Sequence, residues 1–468
     1  MKSPFRCAFV FALTLIVGHA AQAPLATPWQ VGVASRKLTP PGPIWLAGYA
    51  NRPAPSDGVA QDIFGKGLAL DDGAGGRLVI VTLDLIGVPA ALRAHTEKTA
   101  AEKFGLKPHE ILLNASHTHS GPQVSPDRMV LERAFSQNAK PPDVAAVTAF
   151  EIFLRDTVVD LIGESLRTAA PARLEFSSAR AGFAMNRRRP ELNGTITNNP
   201  YPAGPVDHEV PVLKVTGADG RPRAILFGYA CHNTTLSGSK VSGDYAGHAQ
   251  HFIEATYPGA TALFLMGCAG DQNPYPRGTG VPGQTPDDLA SQHGRALANA
   301  VSTALATRLR PVRAPLRSAY GHALLAYQPL SAAELAKFTA PTHTPPVLAR
   351  ARALQESLHR GESPAPVACP VQVVQFGGDL TLVGIGGEVV VDYSLRLKRE
   401  LAGPAAVWIA GYTNDYFGYL GSRRVITEGG YEGGEANTRI LNHPGRFTPE
   451  AEDVVIAQVH ELRKTLAP

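Results

Sequence analysis

Five short apolar segments of this chain each run straight into polar residues that can carry chemistry. The first covers residues 111–113 and is followed by Asn-Ala-Ser-His-Thr-His-Ser-Gly-Pro, an abrupt polar stretch that ends in a turn. The other four lie at residues 224–230, 262–266, 380–385 and 405–410. Strands that are apolar on both faces are typical of a sheet that is covered on both sides. This pattern therefore constrains the fold more than any other feature of the sequence.

Helical segments separate these strands. They are predicted at residues 90–104, 141–169, 245–256, 285–307, 346–359 and 389–401, and from about residue 450 onward. Residues 31–50 are predicted to form a strand, a Pro-rich turn and a second strand. We therefore predict an α/β fold with a mixed, mostly buried β-sheet core covered by helices. In such folds ligands bind beyond the carboxyl ends of the strands, so we expect the active site there.

The amino-terminal segment is typical of an export signal. Lys2 and Arg6 precede an apolar stretch and then small residues, so residues 1–23 are predicted to be a cleaved signal peptide. No other run approaches the roughly 20 apolar residues that span a bilayer. We expect a secreted or periplasmic protein, in which residues 24–468 form a single catalytic domain and residues 310–370, rich in Ala and Pro, form a peripheral insertion.

The charge balance gives no indication of a polyanionic partner. The chain has 44 basic and 40 acidic residues, and removal of Lys2 and Arg6 leaves 42 against 40, a net charge of +2. We therefore expect no nucleic-acid partner and at most peripheral contact with a membrane. The oligomeric state is left open by the sequence.

The cysteines allow at most one disulfide in the exported chain. Removal of Cys7 leaves Cys231, Cys268 and Cys369, an odd number. Cys231 with Cys268 is the favoured pair, because both lie just past strand ends, and whether they are joined is left open. There is no Cys-x-x-Cys, so a thiolate zinc site is not predicted.

The residues just after the apolar strands are of the types that bind metals. In chain order they are His117, His119, His232, Asp271, Asn273, Glu388, Tyr416 and Tyr419. In an extended backbone the side chains of His117 and His119 point to the same face. This arrangement suits a metal ligand with a partner beside it, or a general acid/base pair. The alternative is a polar loop with satisfied histidines. Two imidazoles, a carboxylate and a phenolate together suit zinc in a catalytic site.

Motifs of several other enzyme classes are absent from the sequence. There is no Gly-x-Ser-x-Gly nucleophile elbow, no His-Glu-x-x-His, no Walker A loop and no Gly-x-Gly-x-x-Gly after the early strands. The block Arg187-Arg188-Arg189 before Pro190 is interpreted either as a solvated turn or as the source of an arginine that clamps an oxyanion or carboxylate.

The sequence resembles the catalytic domain of the neutral/alkaline non-lysosomal ceramidases from about residue 30 to 440. The most specific match is His117-Thr118-His119-Ser120-Gly121-Pro122, and further blocks match in order: Gly270-Asp271 followed by Pro274, Gly387-Glu388, Gly418-Tyr419 and Tyr431-Glu432-Gly433. The resemblance implies a zinc ion held by His117, His232, Glu388 and Tyr419. It also implies that His119, an arginine of the Asn186-Arg187 block and Tyr431 line the site.

The chain departs from the family pattern in three places. Asn273 stands where the family has a serine with a catalytic role. The immunoglobulin-like domain that follows the catalytic domain in the family is expected to be missing. Residues 310–370 differ from the corresponding region of the family and are expected to reshape the substrate entrance.

We hypothesise that the protein is a zinc-dependent amidohydrolase of lipid metabolism that cleaves the N-acyl amide bond of ceramide or a related lipid amide by a zinc-activated water. Tyr431, Arg187 or Arg188, and Asn273 would stabilise the oxyanion, and His119 would relay a proton to the leaving amine. One alternative is a zinc hydrolase of another amide or ester. The other is a secreted binding protein without turnover.

Overall fold

The computed structural model describes residues 29–135, 144–278, 283–339, 345–439 and 443–466. The predicted signal segment, residues 1–23, lies outside these ranges, as does the start of the helix predicted from residue 141. Among the helices within them, none is both long and apolar enough to cross a membrane.

The larger of two main sheets has nine strands. They are β1 Trp29–Lys37, β2 Phe64–Asp71, β3 Arg77–Leu83, β4 Ile111–Ala115, β5 Ala170–Arg180, β6 Glu209–Gly217, β7 Pro222–Tyr229, β8 Thr261–Met266 and β9 Arg310–Val312. Their order is β8-β7-β6-β5-β1-β2-β3-β4, and β9 pairs with β5. The β3/β4 and β7/β8 pairs are parallel, and the other neighbours are antiparallel. The prediction of a mixed sheet is confirmed.

The second sheet has four strands and packs face to face on the first. In spatial order they are β10 Leu316–Leu325, β11 Val367–Phe376, β12 Leu380–Ile385 and β13 Ala406–Ala410, and β12 and β13 are parallel. Buried side chains of both sheets, such as Leu226, Phe376 and Trp408, form one core between them.

Helices cover the outer faces of the two sheets. They are α1 Ala90–Phe104, α2 Pro126–Phe135, α3 Ala145–Arg167, α4 Asp244–Thr256, α5 Pro286–Ala306, α6 Ala332–Phe338, α7 Pro345–His359, α8 Val391–Glu400, α9 Arg423–Glu428, α10 Ala436–Arg439 and α11 Ala451–Thr465. Helices α1 and α3 share one core with the larger sheet, α4 and α5 share another, and α8 and α11 cover the second sheet. The predicted α/β architecture with helices on both sides is confirmed.

Short two-stranded ladders connect the loops around the strand ends. They pair Gly58–Val59 with Lys240–Val241, Ala184–Asn186 with Gln272–Pro274, Arg188–Pro190 with Ile196–Asn198, Tyr327–Pro329 with Gly445–Phe447, and Glu388–Val389 with Tyr419–Leu420. In the last ladder Glu388 lies opposite Tyr419. Two residues that are 31 apart in the sequence are thereby held side by side.

Three sequence predictions are corrected by the structure. The second strand predicted within residues 31–50 is reduced to a single bridge at Leu46, because the Pro-rich segment cannot supply a ladder of N–H donors. The range 310–370 is not wholly peripheral, since β10 is an edge strand of the second sheet. Cys231 and Cys268, the pair favoured for a disulfide, are buried free thiols.

Candidate metal centre and active site

The carboxyl ends of the parallel strands meet at one place. Asn114, near the end of β4, accepts a hydrogen bond from the Met266 backbone N–H of β8 at 2.9 Å and donates one to the Gly411 carbonyl beyond β13 at 2.8 Å. Strands β4 and β8 are the two edges of the larger sheet, so this buried amide draws those edges together and joins them to the second sheet. Side chains that are far apart in the sequence therefore converge here, as the α/β pattern predicts.

His117 and His232 present the same ring atom to this point. The His117 Nδ1 lies 2.7 Å from the Ile86 carbonyl oxygen, and the His232 Nδ1 lies 2.6 Å from the Ala269 carbonyl oxygen. A carbonyl can only accept, so each Nδ1 carries the proton and each Nε2 of the neutral ring keeps its lone pair. His117 has a left-handed backbone with φ of 57°, which is rare for a residue with a side chain and occurs at functional sites.

Glu388 faces both of these lone pairs. Its Oε2 lies 3.2 Å from the His117 Nε2 and 3.5 Å from the His232 Nε2, and it is buried without a hydrogen-bond donor among the described residues. Three electron-rich atoms this close, with no proton between them, repel one another unless a cation lies among them. The Tyr419 hydroxyl oxygen is 3.3 Å from the His232 Nε2 and completes a donor set that fits zinc.

His119 adjoins this cluster but is held differently. Its Nε2 is 3.1 Å from the His117 Nε2, while its buried Nδ1 has no hydrogen-bond partner in the described part of the chain. Gly48, at φ of 89°, leaves room for the ring, because a Cβ there would lie 2.3 Å from the His119 Cγ. The ligand atoms of His117, His119 and His232 all lie within 4.8 Å of one another, so three imidazoles form an alternative metal-binding set.

Burial and neighbouring charges fix the protonation of the cluster. Burial, reinforced by the Arg187 cation, lowers the pKa of His232 to about 3, so this imidazole is neutral. Burial also raises the pKa of the Tyr419 phenol well above the usual value, against the effect of Arg187. A neutral imidazole beside a carboxylate is the state that binds a divalent metal.

Arg187, and not Arg188, reaches the cluster. The Arg187 Nη2 donates to the Tyr419 hydroxyl at 2.9 Å and its Nε donates to Glu432 at 2.6 Å. Arg188 turns the other way, toward Glu432 and Glu428. Both arginines are buried, so the interpretation of the block as a solvated turn is wrong for these two residues, although it fits the exposed Arg189.

Asn273 and Tyr431 border the same space. The Asn273 Oδ1 accepts from the Arg187 Nη1 at 3.1 Å, which holds the side chain beside the guanidinium. The Tyr431 ring lies 5.3 Å from the Tyr419 ring, measured between centroids, and is 37% exposed. The sequence-predicted residues are therefore brought together around one centre. Tyr416 is set back, with its ring 5.8 Å from the His117 ring and packed on Gly87.

Several residues that build the site were not predicted from the sequence. Ile86 acts through its backbone carbonyl, which no sequence pattern marks. Glu432 was noted only as part of a motif, yet it binds both buried arginines. Tyr412 is buried with its ring centroid 4.5 Å from that of His117. The one sequence signal for such contacts was Asn114, because a side-chain amide inside an apolar strand must find buried hydrogen-bond partners.

A cleft of about 360 Å³ adjoins the cluster. Gly48 and Ile86, which contact His119 and His117, form part of its wall, and Arg128, Phe417 and His443 line it further out. This volume is at the small end of the range for ligand sites. It offers space for part of a substrate beside the candidate metal centre.

His443 makes the stability of this region sensitive to acid. Burial lowers the pKa of His443 to about 4, and the neutral ring bonds to the Phe417 carbonyl at 2.7 Å. Between that pKa and the ordinary value of about 6.5 the unfolded chain binds the proton more strongly, so stability is full at neutral pH and falls on acidification. Between pH 7.5 and pH 5.0 the free energy of unfolding of the wild type should fall by about 2 kcal/mol more than that of the variant His443→Gln, which has no imidazole to titrate. Urea unfolding at both pH values measures this, and equal losses would contradict it.

The fold and the site together define a mixed α/β protein with a buried histidine, carboxylate and tyrosine cluster at the strand ends. A sequence profile described as neutral/alkaline non-lysosomal ceramidase, N-terminal, matches residues 29–279. The chain therefore belongs to the neutral/alkaline non-lysosomal ceramidase family, and the resemblance inferred from its motifs is confirmed.

Individual relatives agree with this assignment. Neutral ceramidase A of Dictyostelium discoideum is 25% identical over 277 residues, which cover 53% of this chain and 36% of that protein. Neutral ceramidase of Pseudomonas aeruginosa is 24% identical over 503 residues, covering 92% of this chain and 72% of the relative. The chain spans about a third of the length of the two Dictyostelium proteins, 36% and 33%.

The crystal structure of the Pseudomonas aeruginosa neutral ceramidase has the same fold. It superposes with a TM-score of 0.71 at 20% identity, covering 94% of this chain and 75% of that one. A structure described as ceramidase complexed with C2 matches equally well, with a TM-score of 0.71.

Proposed function

We propose that this protein is an exported zinc-dependent amidohydrolase that cleaves the N-acyl amide bond of ceramide or a related lipid amide. The observation that carries the proposal is the convergence of the His117 Nε2, the His232 Nε2 and the Glu388 Oε2 without a proton to separate them. The names of the relatives and membership of the family support the choice of ceramide as the first substrate to test.

The metal would be held by His117, His232, Glu388 and Tyr419. When bound there, zinc would act as a Lewis acid and make water a competent nucleophile near neutral pH. The carbonyl groups of Ile86 and Ala269 fix the two imidazoles in the tautomer that binding requires. His119 has no such partner on its Nδ1, which favours a role for it as a proton carrier instead of a ligand.

The remaining side chains would stabilise the negative charge that develops on the substrate and would transfer a proton. As water adds to the amide carbonyl, the oxygen gains negative charge, and Arg187 with its neighbours Asn273 and Tyr431 would donate to it. His119 would take the proton released by the attacking water and deliver it to the leaving nitrogen, so that the products are a fatty acid and an amine. Burial and the neighbouring imidazoles keep the pKa of His119 well below the ordinary value, so it begins as a base.

The experiment is an activity screen on purified protein with and without zinc. Fluorescent ceramide, short-chain N-acyl amides and matched esters are incubated with the zinc-loaded and the chelator-treated protein. We expect zinc-dependent release of fatty acid from amides. Hydrolysis of esters alone would favour a different zinc hydrolase, and zinc binding without turnover of any substrate would leave only a binding protein.

Export is proposed from the composition of residues 1–23. Mass spectrometry of the protein recovered from outside the cytoplasm should find an amino terminus after Ala20 or Ala21. An intact Met1 terminus in that fraction would contradict cleavage.

The several N–H donors of the Arg187 guanidinium are expected to contribute more to catalysis than its positive charge does. Replacing Arg187 by Lys keeps a cation but cannot bond Tyr419, Glu432 and Asn273 together, so kcat/KM should fall by about 100-fold or more, as for the loss of one oxyanion donor. The matched control is Arg189→Lys, two positions on and exposed, which should leave kcat/KM unchanged. Equal effects of the two substitutions would refute the assignment.

A further inference from the structure

A hydrogen-bonded row of side chains leads from the candidate metal centre toward the surface. Beyond Arg187, the Asn273 Oδ1 also accepts from the Thr234 Oγ1 at 3.4 Å, and the Thr234 Oγ1 accepts from the Arg277 Nη1 at 3.2 Å. The row therefore begins at the Tyr419 phenol and ends at the guanidinium of Arg277, a residue that is exposed as a whole. Asn273 and Thr234 are buried, so the inner part of the row is fixed in place.

The groups of this row that remain free to bind a ligand are hydrogen-bond donors, because the acceptor atoms of Asn273 and Thr234 are already bonded within the row. A guanidinium can only donate, so the Asn273 atom that faces Arg187 is its oxygen, and the amide NH₂ must point to the other side. That NH₂ bonds to none of the described residues, and it is not fully enclosed. Asn273 thus offers a donor to the space beside the metal centre, where a serine would offer a single hydroxyl.

Arg277 has no carboxylate partner in the described ranges. Its one hydrogen bond there is to Thr234, and it takes part in no ion pair. Asp244 is the buried carboxylate whose charge acts on Arg277. It already accepts hydrogen bonds from the Leu236 and Tyr245 backbone N–H groups, at 2.8 and 2.6 Å. Of the cations on this row, Arg187 is neutralised by Glu432 and Arg277 is not.

A guanidinium with free donors selects a planar anion, above all a carboxylate, which it binds through two parallel hydrogen bonds. A neutral sphingoid headgroup offers hydroxyls only and would leave the charge of Arg277 unused. We propose that the preferred substrates are amides that carry a carboxylate, with the scissile carbonyl directed to Arg187 and Asn273 and the carboxylate bound by Arg277. This inference rests on the proposed amide hydrolysis and, within it, selects a related lipid amide that carries a carboxylate over ceramide itself.

Three amides of matched chain length test the proposal. N-dodecanoylglycine carries the carboxylate on the amine side, N-dodecylsuccinamic acid carries it on the acyl side, and N-dodecanoylethanolamine is neutral. Steady-state kinetics on the zinc-loaded protein compares the wild type with Arg277→Ala, Arg277→Lys and, as a control, Arg313→Ala, which removes an exposed arginine elsewhere. Calorimetric binding of the same amides to the metal-free protein gives a readout that does not depend on turnover.

We expect the wild type to prefer one of the two acidic amides. Arg277→Ala should raise KM for that amide by about tenfold or more, leave the neutral amide within about twofold, and weaken calorimetric binding in parallel. Arg277→Lys should recover part of the loss, and Arg313→Ala should change nothing.

The outcomes separate this inference from the proposed function. Equal use of acidic and neutral amides, or an equal loss on all of them in Arg277→Ala, overturns the carboxylate preference while amide hydrolysis stands. Binding of an acidic amide that depends on Arg277, without hydrolysis of any amide, supports the carboxylate site and refutes the hydrolase proposal.

Discussion

Replacement of His117 by alanine is expected to lower the zinc content from about one atom per chain to a small fraction of that value. The substitution removes a ligand whose Nε2 lies 3.2 Å from the Glu388 Oε2 and whose tautomer is fixed by the Ile86 carbonyl. Loss of an outer partner alone costs about 10- to 100-fold in metal affinity, and loss of a ligand costs more. Elemental analysis of the purified protein measures the change.

The matched control for this prediction is His322→Ala. His322 is an exposed histidine in β10, on the second sheet, so its removal should leave zinc at about one atom per chain. Circular dichroism of both variants verifies that they are folded. If the folded His117→Ala protein keeps stoichiometric zinc, His117 is not a ligand and the proposed centre is wrong.

Replacement of His119 by alanine is expected to give the opposite combination, with metal retained and turnover lost. His119 lies 3.1 Å from the His117 Nε2 but has no partner that would fix it as a ligand. A general acid/base group contributes about 10²- to 10⁴-fold to the rate, so kcat should fall within that range while zinc content stays near one. Kinetics and elemental analysis are carried out on the same preparation.

Chemical rescue distinguishes proton transfer from a structural role of His119. The alanine variant leaves a space the size of the ring between Gly48 and Tyr49, into which free imidazole can enter. Added imidazole should restore part of kcat, with a dependence on pH that follows the free base. If zinc is lost with His119, the set of three imidazoles is the correct one and the proton carrier must be sought elsewhere.

Much of the fold could be read from local patterns. Helix α1 was predicted at residues 90–104 and ends at Gly105, whose left-handed φ of 65° suits a residue without a side chain. Strand β12 was predicted with the bounds that it has. Both elements lie within continuous patterns that are bounded by residues with strong local preferences, so nothing distant had to be known.

Local patterns failed where pairing partners are distant. The strand β10 was missed because its apolar residues alternate weakly, and it is a strand only because β11 lies beside it. The division into two facing sheets was likewise not predicted, since an apolar strand looks the same in either sheet. The pairing favoured for Cys231 and Cys268 does not form for a related reason: two residues that follow neighbouring strands need not bring their sulfurs together.

The sequence by itself determined the class of fold, the family and the types of side chain at the strand ends, because periodicity and motifs are local properties of the chain. Only the tertiary structure decided that Arg187 and not Arg188 faces the cluster and that the Ile86 and Ala269 carbonyls fix the tautomers of His117 and His232. It also decided that Arg277 ends a hydrogen-bonded row that begins at the cluster. These are distances between atoms of residues far apart in the sequence. They are set by how two sheets pack, and no window of sequence contains them.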